Sequence, residues 1–388
     1  MTAQPAGREA AVSETAVAGL VSVIIPNYNH AAYLGDAIDS ALRQTYPHFE
    51  VIVVDDGSTD DSRAVAARYG DRIRTIWQEN QGLSAARNTG LRHARGEYVA
   101  LLDADDMLEP TFMQALTGVL AADPDLGGVI CGYQFVDDDG VPLPQQEARS
   151  IAPQALHDTL LDGNFLVPES ILVRRRCYQA VAPFDETLRA CEDWDMWLRM
   201  SQQFAIGSLP RLLTRHRVLR GSMSSDPQRM LDNRLVVLAR LLGPEPADAR
   251  SGTARTRRAF ARAYLVSATE YLQHHDRTQA YACFARAVQL TPGILTELDT
   301  FYELGLGDQP KGRRGHFGSI DLTWSTQAVF EMLDRLYAQA PPAVDRAASY
   351  ATAHHALGLL SYGARALPAA RAHLLRVIRH RPGAVLQR

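Results

Sequence analysis

A chain of 388 residues exceeds the usual span of one domain, roughly 150 residues, and its 46% apolar and 22% charged residues give the balance of a folded protein with a sizeable core. A net charge of -4 supplies no basic field for a nucleic acid, which removes that partner class. No stretch reaches the roughly 18 consecutive apolar residues of a membrane-spanning helix, so no transmembrane segment is expected.

The N-terminus lacks a basic segment followed by an apolar one, and together with the cysteine usage this makes a cytoplasmic location the expectation, or a peripheral one at the inner face of the membrane. Cys131, Cys177, Cys191 and Cys283 are widely spaced, so neither a zinc site nor a disulfide framework is signalled. Lys311 is the only lysine among the basic residues. That bias toward arginine reads as a property of the source genome.

Residues 1–20, rich in Ala, Thr, Ser and Glu without a period, read as a flexible tail. Val21-Ser22-Val23-Ile24-Ile25 and Val51-Ile52-Val53-Val54 are β-branched runs separated by a helical pattern over 33–44. This spacing predicts parallel strands. A helix over 62–69, a strand over 73–77, a helix over 83–94 and a strand over 98–102 continue the alternation. The runs are largely apolar, as helices on both sheet faces require. Ligands of such sheets bind beyond the carboxyl ends of the strands, so residues 26–28, 55–58 and 103–106 are expected around one crevice.

Beyond Arg234 the strand signals fade, Gly243-Pro244-Glu245-Pro246 reads as a linker, and helical Ala/Leu/Arg segments follow. Residues 261–294 match the tetratricopeptide pattern at Tyr264, Ala268, Tyr271, Ala280, Phe284, Ala287 and Pro292, with a second copy starting near Ala351. Their offset of about 90 residues is no multiple of the repeat, roughly 34, so 305–318 is expected to be irregular. The expected organisation is an α/β domain over 21–235 and an all-α, tetratricopeptide-like domain over 247–388.

Asp103-Ala104-Asp105-Asp106 directly follows the run at 98–102. On an extended chain residues two apart point the same way, so Asp103 and Asp105 are expected to face one site. Clustered carboxylates repel unless a cation intervenes. A hard divalent ion, Mn²⁺ or Mg²⁺, sharing oxygens with a diphosphate would relieve that repulsion. The alternative is a solvated acidic turn capping the helix after Pro110.

Asp55-Asp56-Gly57-Ser58 sets a second acidic pair at a strand end. A carboxylate there can accept the imide N–H of uracil or thymine, ordinary turn chemistry being the alternative. In Cys191-Glu192-Asp193-Trp194-Asp195-Met196-Trp197-Leu198, the apolar residues at 194, 197 and 198 predict an amphipathic helix with Glu192 and Asp193 in or before its first turn. The helix dipole is expected to keep Asp193 ionised at a low pKa.

Together with Val23-Ile24-Ile25-Pro26-Asn27-Tyr28-Asn29 and Gly82-Leu83-Ser84-Ala85-Ala86-Arg87-Asn88, these segments closely resemble the family 2 glycosyltransferases in order and spacing, from residue 21 to about 224. The resemblance implies a GT-A fold, that is, a Rossmann-like nucleotide-sugar-binding domain with a mainly parallel sheet, an inverting mechanism and a UDP- or dTDP-sugar donor. By matching positions it puts Pro26, Tyr28, Asn29 and Asp56 in the nucleotide-sugar site, Asp103 beside the ribose and donor sugar, and the metal on Asp105 with Asp103.

Arg87, in the family's A-R-N position, would reach the donor or a pocket carboxylate, and a structural ion pair is the favoured of the two roles. The resemblance assigns the catalytic base to Asp193, with Glu192 supporting it or binding the acceptor. A base is needed because a hydroxyl is a poor nucleophile until its proton is being removed. In-line attack then inverts the anomeric carbon while the metal carries charge developing on the departing diphosphate.

One departure stands out. Family members often carry Y-R-x-H-x-G-S-M-S after the base helix, where this chain reads His216-Arg217-Val218-Leu219-Arg220-Gly221-Ser222-Met223-Ser224. Leu219 occupies the histidine position and cannot ligate a metal, so that contact is absent or falls to Arg217, Arg220 or a serine. His216 alone reads as structural.

No motif identifies the acceptor. Saccharide, lipid-linked and protein acceptors stay open within an expected role in cell-surface glycan or polysaccharide assembly. Two rival readings are a catalytically inert nucleotide-sugar-binding scaffold that recruits partners through its helices, and a nucleotidyltransferase. The second lacks the glycine- and lysine-rich phosphate loop expected after the first strand. The helical half is expected either to bind a protein partner or to stabilise the enzyme.

Overall fold

Strand structure begins before residue 21. In the computed structural model, which describes residues 16–219 and 221–381, β1 (Val17–Asn27) already pairs at Val17. The Val17 N–H donates to the Arg95 carbonyl at 2.9 Å, and the Tyr46 hydroxyl donates to the Gly19 carbonyl at 2.5 Å. The expected tail over 1–20 is thereby corrected. Backbone partners, which composition does not reveal, draw residues 17–20 into the sheet, and 1–15 lie outside the described residues.

The chain continues through α1 (Ala31–Leu42), β2 (Phe49–Asp56), α2 (Ser62–Ala67), β3 (Arg74–Gln78), α3 (Leu83–His93) and β4 (Gly96–Leu101). Parallel pairing of β1 with β2 and β4, and of β2 with β3, brings the carboxyl ends of these strands to one edge. Side chains alternate between faces: Val21, Val23 and Ile25 enter one core, and Ile24 enters the other. α3 lies close against the second face at Gly90, where an added Cβ would come within 2.2 Å of Ile24 Cγ2.

Next come β5 (Met107–Leu108), α4 (Phe112–Ala122), β6 (Gly128–Val136), β7 (Pro142–Glu147), α5 (Pro153–Asp162), β8 (Ile171–Arg174), α6 (Arg175–Ala180), α7 (Glu192–Gln203) and β9 (Ile206–Arg217). One nine-stranded sheet results, in the order β3-β2-β1-β4-β8-β6-β9-β5 with β7 beside β6. Past β4 the directions mix: β8 is antiparallel to both β4 and β6, β7 to β6 and β5 to β9, while β6 and β9 run parallel. The sheet is therefore parallel through β3-β2-β1-β4 and mixed beyond, in a GT-A-like α/β fold.

The last part is helical: α8 (Pro227–Leu242), α9 (Ala254–Gln273), α10 (Arg277–Leu290), α11 (Leu298–Gly305), α12 (Leu322–Gln339), α13 (Arg346–Gly363) and α14 (Leu367–His380). Side chains of Thr253, Asp276, Asp321 and Asp345 accept backbone N–H groups at the starts of α9, α10, α12 and α13. Each satisfies donors that the first turn leaves open. Residues 306–316 form turns without a helix.

One hydrophobic cluster runs from Ile24 and Leu101 through Trp194, Trp197 and Leu238 to Phe260, Phe284 and Leu357. Helices and sheet therefore share a core. Arg234 of α8 grips both carboxylate oxygens of Glu270 on α9, at 2.6 and 2.5 Å. Among the described residues no helix is long and apolar enough to cross a membrane.

Candidate active site

The loops after β1 and β2 are bonded to each other. Asn29, left-handed at φ 57, accepts the Thr59 N–H at 2.7 Å, and the Ser58 hydroxyl accepts the Asn29 N–H at 2.9 Å. Asp55 is the turn residue, accepting the Ser58 N–H at 2.9 Å and the Asn27 side-chain amide at 2.8 Å. Asp56, 2% exposed, accepts the Gly82 N–H at 2.7 Å, the Gln81 N–H at 3.0 Å and the Gln78 amide at 2.7 Å. It thus anchors the start of α3, while its Oδ2, holding one donor, retains room for another. Pro26 is buried nearby in sequence, and Tyr28 is 46% exposed.

From α3, Arg87 reaches the centre of the site. Its guanidinium is fully buried, with Nη2 at 2.7 Å from Asp103 and Nη1 at 2.5 Å from Glu192. Burial opposes its charge, yet these two carboxylates hold it charged and raise its pKa. Of the two roles open to Arg87, the structure shows the ion pair. At 0% exposure its side chain is enclosed by the protein, and the donor contact implied for it by the resemblance is not displayed.

β4 ends at Leu101, and the Asp106 N–H donates to the Asp103 carbonyl at 3.0 Å. Residues 103–106 thus form a turn, and the extended geometry invoked for Asp103 and Asp105 is corrected. The two still feel each other: burial, then the charges of Asp106 and Asp103, push Asp105 up to about 7. The stretch does not cap α4, whose N-cap is Thr111. Asp103 keeps its Oδ2 free of hydrogen bonds among the described residues. A half-buried carboxylate raised by its neighbours fits the hard divalent cation expected there.

Asp106 turns inward. It accepts the Arg217 N–H at 2.7 Å and lies 3.0 Å from His216 Nδ1, which is also 3.0 Å from Glu169. Glu169, wholly buried ahead of β8, has no partner for Oε2 among the described residues. One donor atom from each of Asp106, Glu169 and His216 lies within 4.8 Å of the others, a grouping able to hold a metal ion. Burial and the nearby Lys311 oppose charge on the imidazole, while Asp106 and Glu169 favour it and raise the His216 pKa on balance. Burial and Glu169 push Asp106 to about 7.

Arg217 is already engaged. Its side chain donates to the Asp105 carbonyl at 2.9 Å, to Asp36 at 2.9 Å and to the Asp138 carbonyl. Leu219 is half-buried, and Arg220 lies outside the described residues.

Cys191, left-handed at φ 61, turns the chain so that Glu192 and Asp193 open α7. The Asn164 amide donates to Asp193 at 3.0 Å. Burial and the charge of Glu192 outweigh Arg87, the Trp194 N–H and Asn164, raising Asp193 to about 6. The low pKa expected from the helix dipole is thus corrected, since lost hydration exceeds what the helix terminus returns. Asp193 remains mostly ionised at neutral pH and is a stronger base than a solvated aspartate.

The acidic segments converge through α3. Asp56 holds its first residues, and Arg87 ties Asp103, two residues from Asp105, to Glu192, next to Asp193. Residues 22–181 match the model of the glycosyl transferase family 2. The putative teichuronic acid biosynthesis glycosyltransferase TuaG of Bacillus subtilis is 31% identical over 214 residues, 53% of this chain and 82% of that protein. The chain belongs to the family 2 glycosyltransferases.

An uncharacterized glycosyltransferase of Rickettsia prowazekii is 36% identical over 189 residues, 46% of this chain, and the match spans 58% of that relative's length. Among solved structures, S. aureus TarS 1–349 superposes with a TM-score of 0.48 at 18% identity, covering 92% of this chain and 91% of that one.

The family segment of this glycosyltransferase holds Asp56, Arg87, Asp103, Asp105 and Glu169, whereas Glu192, Asp193 and His216 lie beyond it. Sequence reasoning passed over Glu169, whose signal was a single charge inside the apolar run 165–173. It also set aside Lys311, whose Nζ lies 3.1 Å from His216 Nε2. Burial lowers the Lys311 pKa against the charges of Asp106, Glu169 and Asp105. Both nitrogens cannot donate along one contact: where the Lys311 ammonium donates, Nε2 accepts and the imidazole proton sits on Nδ1, facing Asp106 and Glu169.

Proposed function

We propose that this chain is an inverting glycosyltransferase that moves a sugar from a UDP- or dTDP-sugar to an acceptor hydroxyl, using Mn²⁺ or Mg²⁺ held at Asp105 with Asp103. The observation that carries the reading is the buried Arg87 tie, which joins the end of β4 to the start of α7. Pro26, Tyr28, Asn29 and Asp56 would receive the nucleoside, with the free capacity of Asp56 Oδ2 for the base imide N–H. When bound, a divalent cation would offset the charge of the departing diphosphate. Asp193 takes the proton of the acceptor hydroxyl as that oxygen attacks the anomeric carbon opposite the diphosphate. Asn164 orients the carboxylate, and Glu192 is the supporting or acceptor-binding group.

In this reading the α/β part, to about residue 235, performs the chemistry. The tetratricopeptide-like helices over 247–388 stabilise it or bind a protein partner. A role in cell-surface glycan or polysaccharide assembly is supported by the teichuronic acid assignment carried by TuaG's name.

The test is a panel of UDP- and dTDP-sugars with Mn²⁺, read for hydrolysis or transfer. Asp193→Asn should keep donor affinity by calorimetry while turnover falls by about 10²–10⁴. Equal turnover would refute the base assignment, and absence of nucleotide-sugar binding to the wild type would end the proposal.

A further inference from the structure

Lys311 reaches the site from the helical half on a braced loop. Gln145 of β7 donates its N–H to the Gly312 carbonyl at 2.9 Å, and its side-chain oxygen accepts the N–H groups of Gly312 at 2.9 Å and Arg314 at 3.3 Å. Gln309, 0% exposed, spans the same loop, donating to the His316 carbonyl at 2.8 Å and accepting the Gly315 N–H at 2.7 Å. Gly312 is left-handed, and a Cβ there would lie 2.4 Å from Leu143 Cδ1 and 3.3 Å from Val218 Cγ2. Only glycine allows the loop to sit this close.

The residue keeps exposed surface although its Nζ is crowded enough to lose hydration, and Nζ lies 3.1 Å from His216 Nε2 and 5.8 Å from the centre of the Phe135 ring. An ammonium has three donors, and among the described residues His216 is the one hydrogen-bond partner of Nζ. The chain has 40 basic side chains of the lysine and arginine type, and this is the single lysine. Its compact ammonium on a flexible stem differs from the planar guanidinium forks of the other basic residues. Leu219 offers no polar atom, and Arg217 is spent on Asp36 and the backbone of Asp105 and Asp138.

Resting on the glycosyltransferase reading above, we propose that Lys311 binds the diphosphate of the nucleotide-sugar donor, so that the helical half supplies a cation to the catalytic site. The free donors of Nζ bond the diphosphate oxygens while the sugar is attached and as it departs. No bond to Lys311 forms or breaks.

The experiment compares wild type, Lys311→Met and Lys311→Arg, each as the full chain, for binding of UDP and of uridine with Mn²⁺ present. Lys311→Met should weaken UDP tenfold or more and leave uridine unchanged, with Lys311→Arg recovering part of the loss. An unchanged ratio of UDP to uridine affinity in Lys311→Met overturns the proposal. A second measurement needs no substitution: acetylation of the sole ε-amine, read by peptide mass spectrometry, should slow at least threefold with UDP and be unaffected by uridine. Equal protection by both ligands, or by neither, also overturns it. If wild type binds and turns over a donor while Lys311→Met matches it, this inference alone falls; if wild type binds no nucleotide, the underlying reading falls with it.

Discussion

Replacing Arg87 by Met tests the centre of the site through stability. The substitution keeps most of the volume but strands two carboxylates, Glu192 at 7% side-chain exposure and Asp103 at 23%. Removing one partner of a buried ion pair costs about 3–5 kcal/mol. Glu192 should account for about 3 kcal/mol of that, and Asp103, nearer to water, for about 1 kcal/mol. The buried Trp194 and Trp197 sit on the helix that Glu192 opens, so tryptophan fluorescence reports the right region. With a urea slope of about 2.5 kcal/mol per molar, a loss of about 4 kcal/mol lowers the midpoint by about 1.5 M. Adding Glu192→Gln should recover up to about 3 kcal/mol of that loss, because the more buried of the two uncompensated charges is gone while Asp103 remains. A loss under about 1 kcal/mol, or no recovery in the double variant, would show that the tie does not organise the site.

Four further outcomes follow from the structure. With Asp193 raised to about 6, kcat/KM at saturating Mn²⁺ should fall tenfold per pH unit below that value, and this acid limb should vanish in Asp193→Asn. Since its folded pKa lies above that of an unfolded aspartate, near 3.9, the folded state gains stability as pH falls from about 6 to about 4, and Asp193→Asn should be about 1–3 kcal/mol more stable than wild type at pH 7. Asp105, raised to about 7, must lose a proton to accept a cation. Mn²⁺ affinity should therefore rise through neutral pH with a buffer-dependent heat, and a pH-independent affinity would exclude Asp105 as a ligand. Gly90→Ala drives a methyl into Ile24 and should cost about 1–3 kcal/mol by thermal melting, where an unchanged melt would contradict the contact.

The first half of the sheet was legible because β1, β2 and β4 are largely buried on both faces and their apolar runs stand out from the helices between them. β6, β8 and β9 were harder: Gly128, Gly132 and Pro210 interrupt their runs, and β8 is four residues long. The acidic residues of the site were visible as motifs, since each follows a strand or opens a helix. Their partners were not. The pairing of Arg87 with Glu192 spans 105 residues, and the contact of His216 with Lys311 spans 95. Such distant meetings leave no periodicity. The pKa of Asp193 was misjudged for a related reason, because the dipole of its own helix is readable locally, whereas its burial depends on what other segments place over it.

Gly312 has a practical meaning for anyone recombining these halves. A graft that exchanges the helices while leaving the sheet intact must carry Leu143, Gln145 and Val218 along with the new loop, since those residues form the seat on which it rests. Chimeras joined at the proline-rich segment near residue 245 alone should fold with an ill-seated loop, and their defect would appear in catalysis before it appeared in solubility.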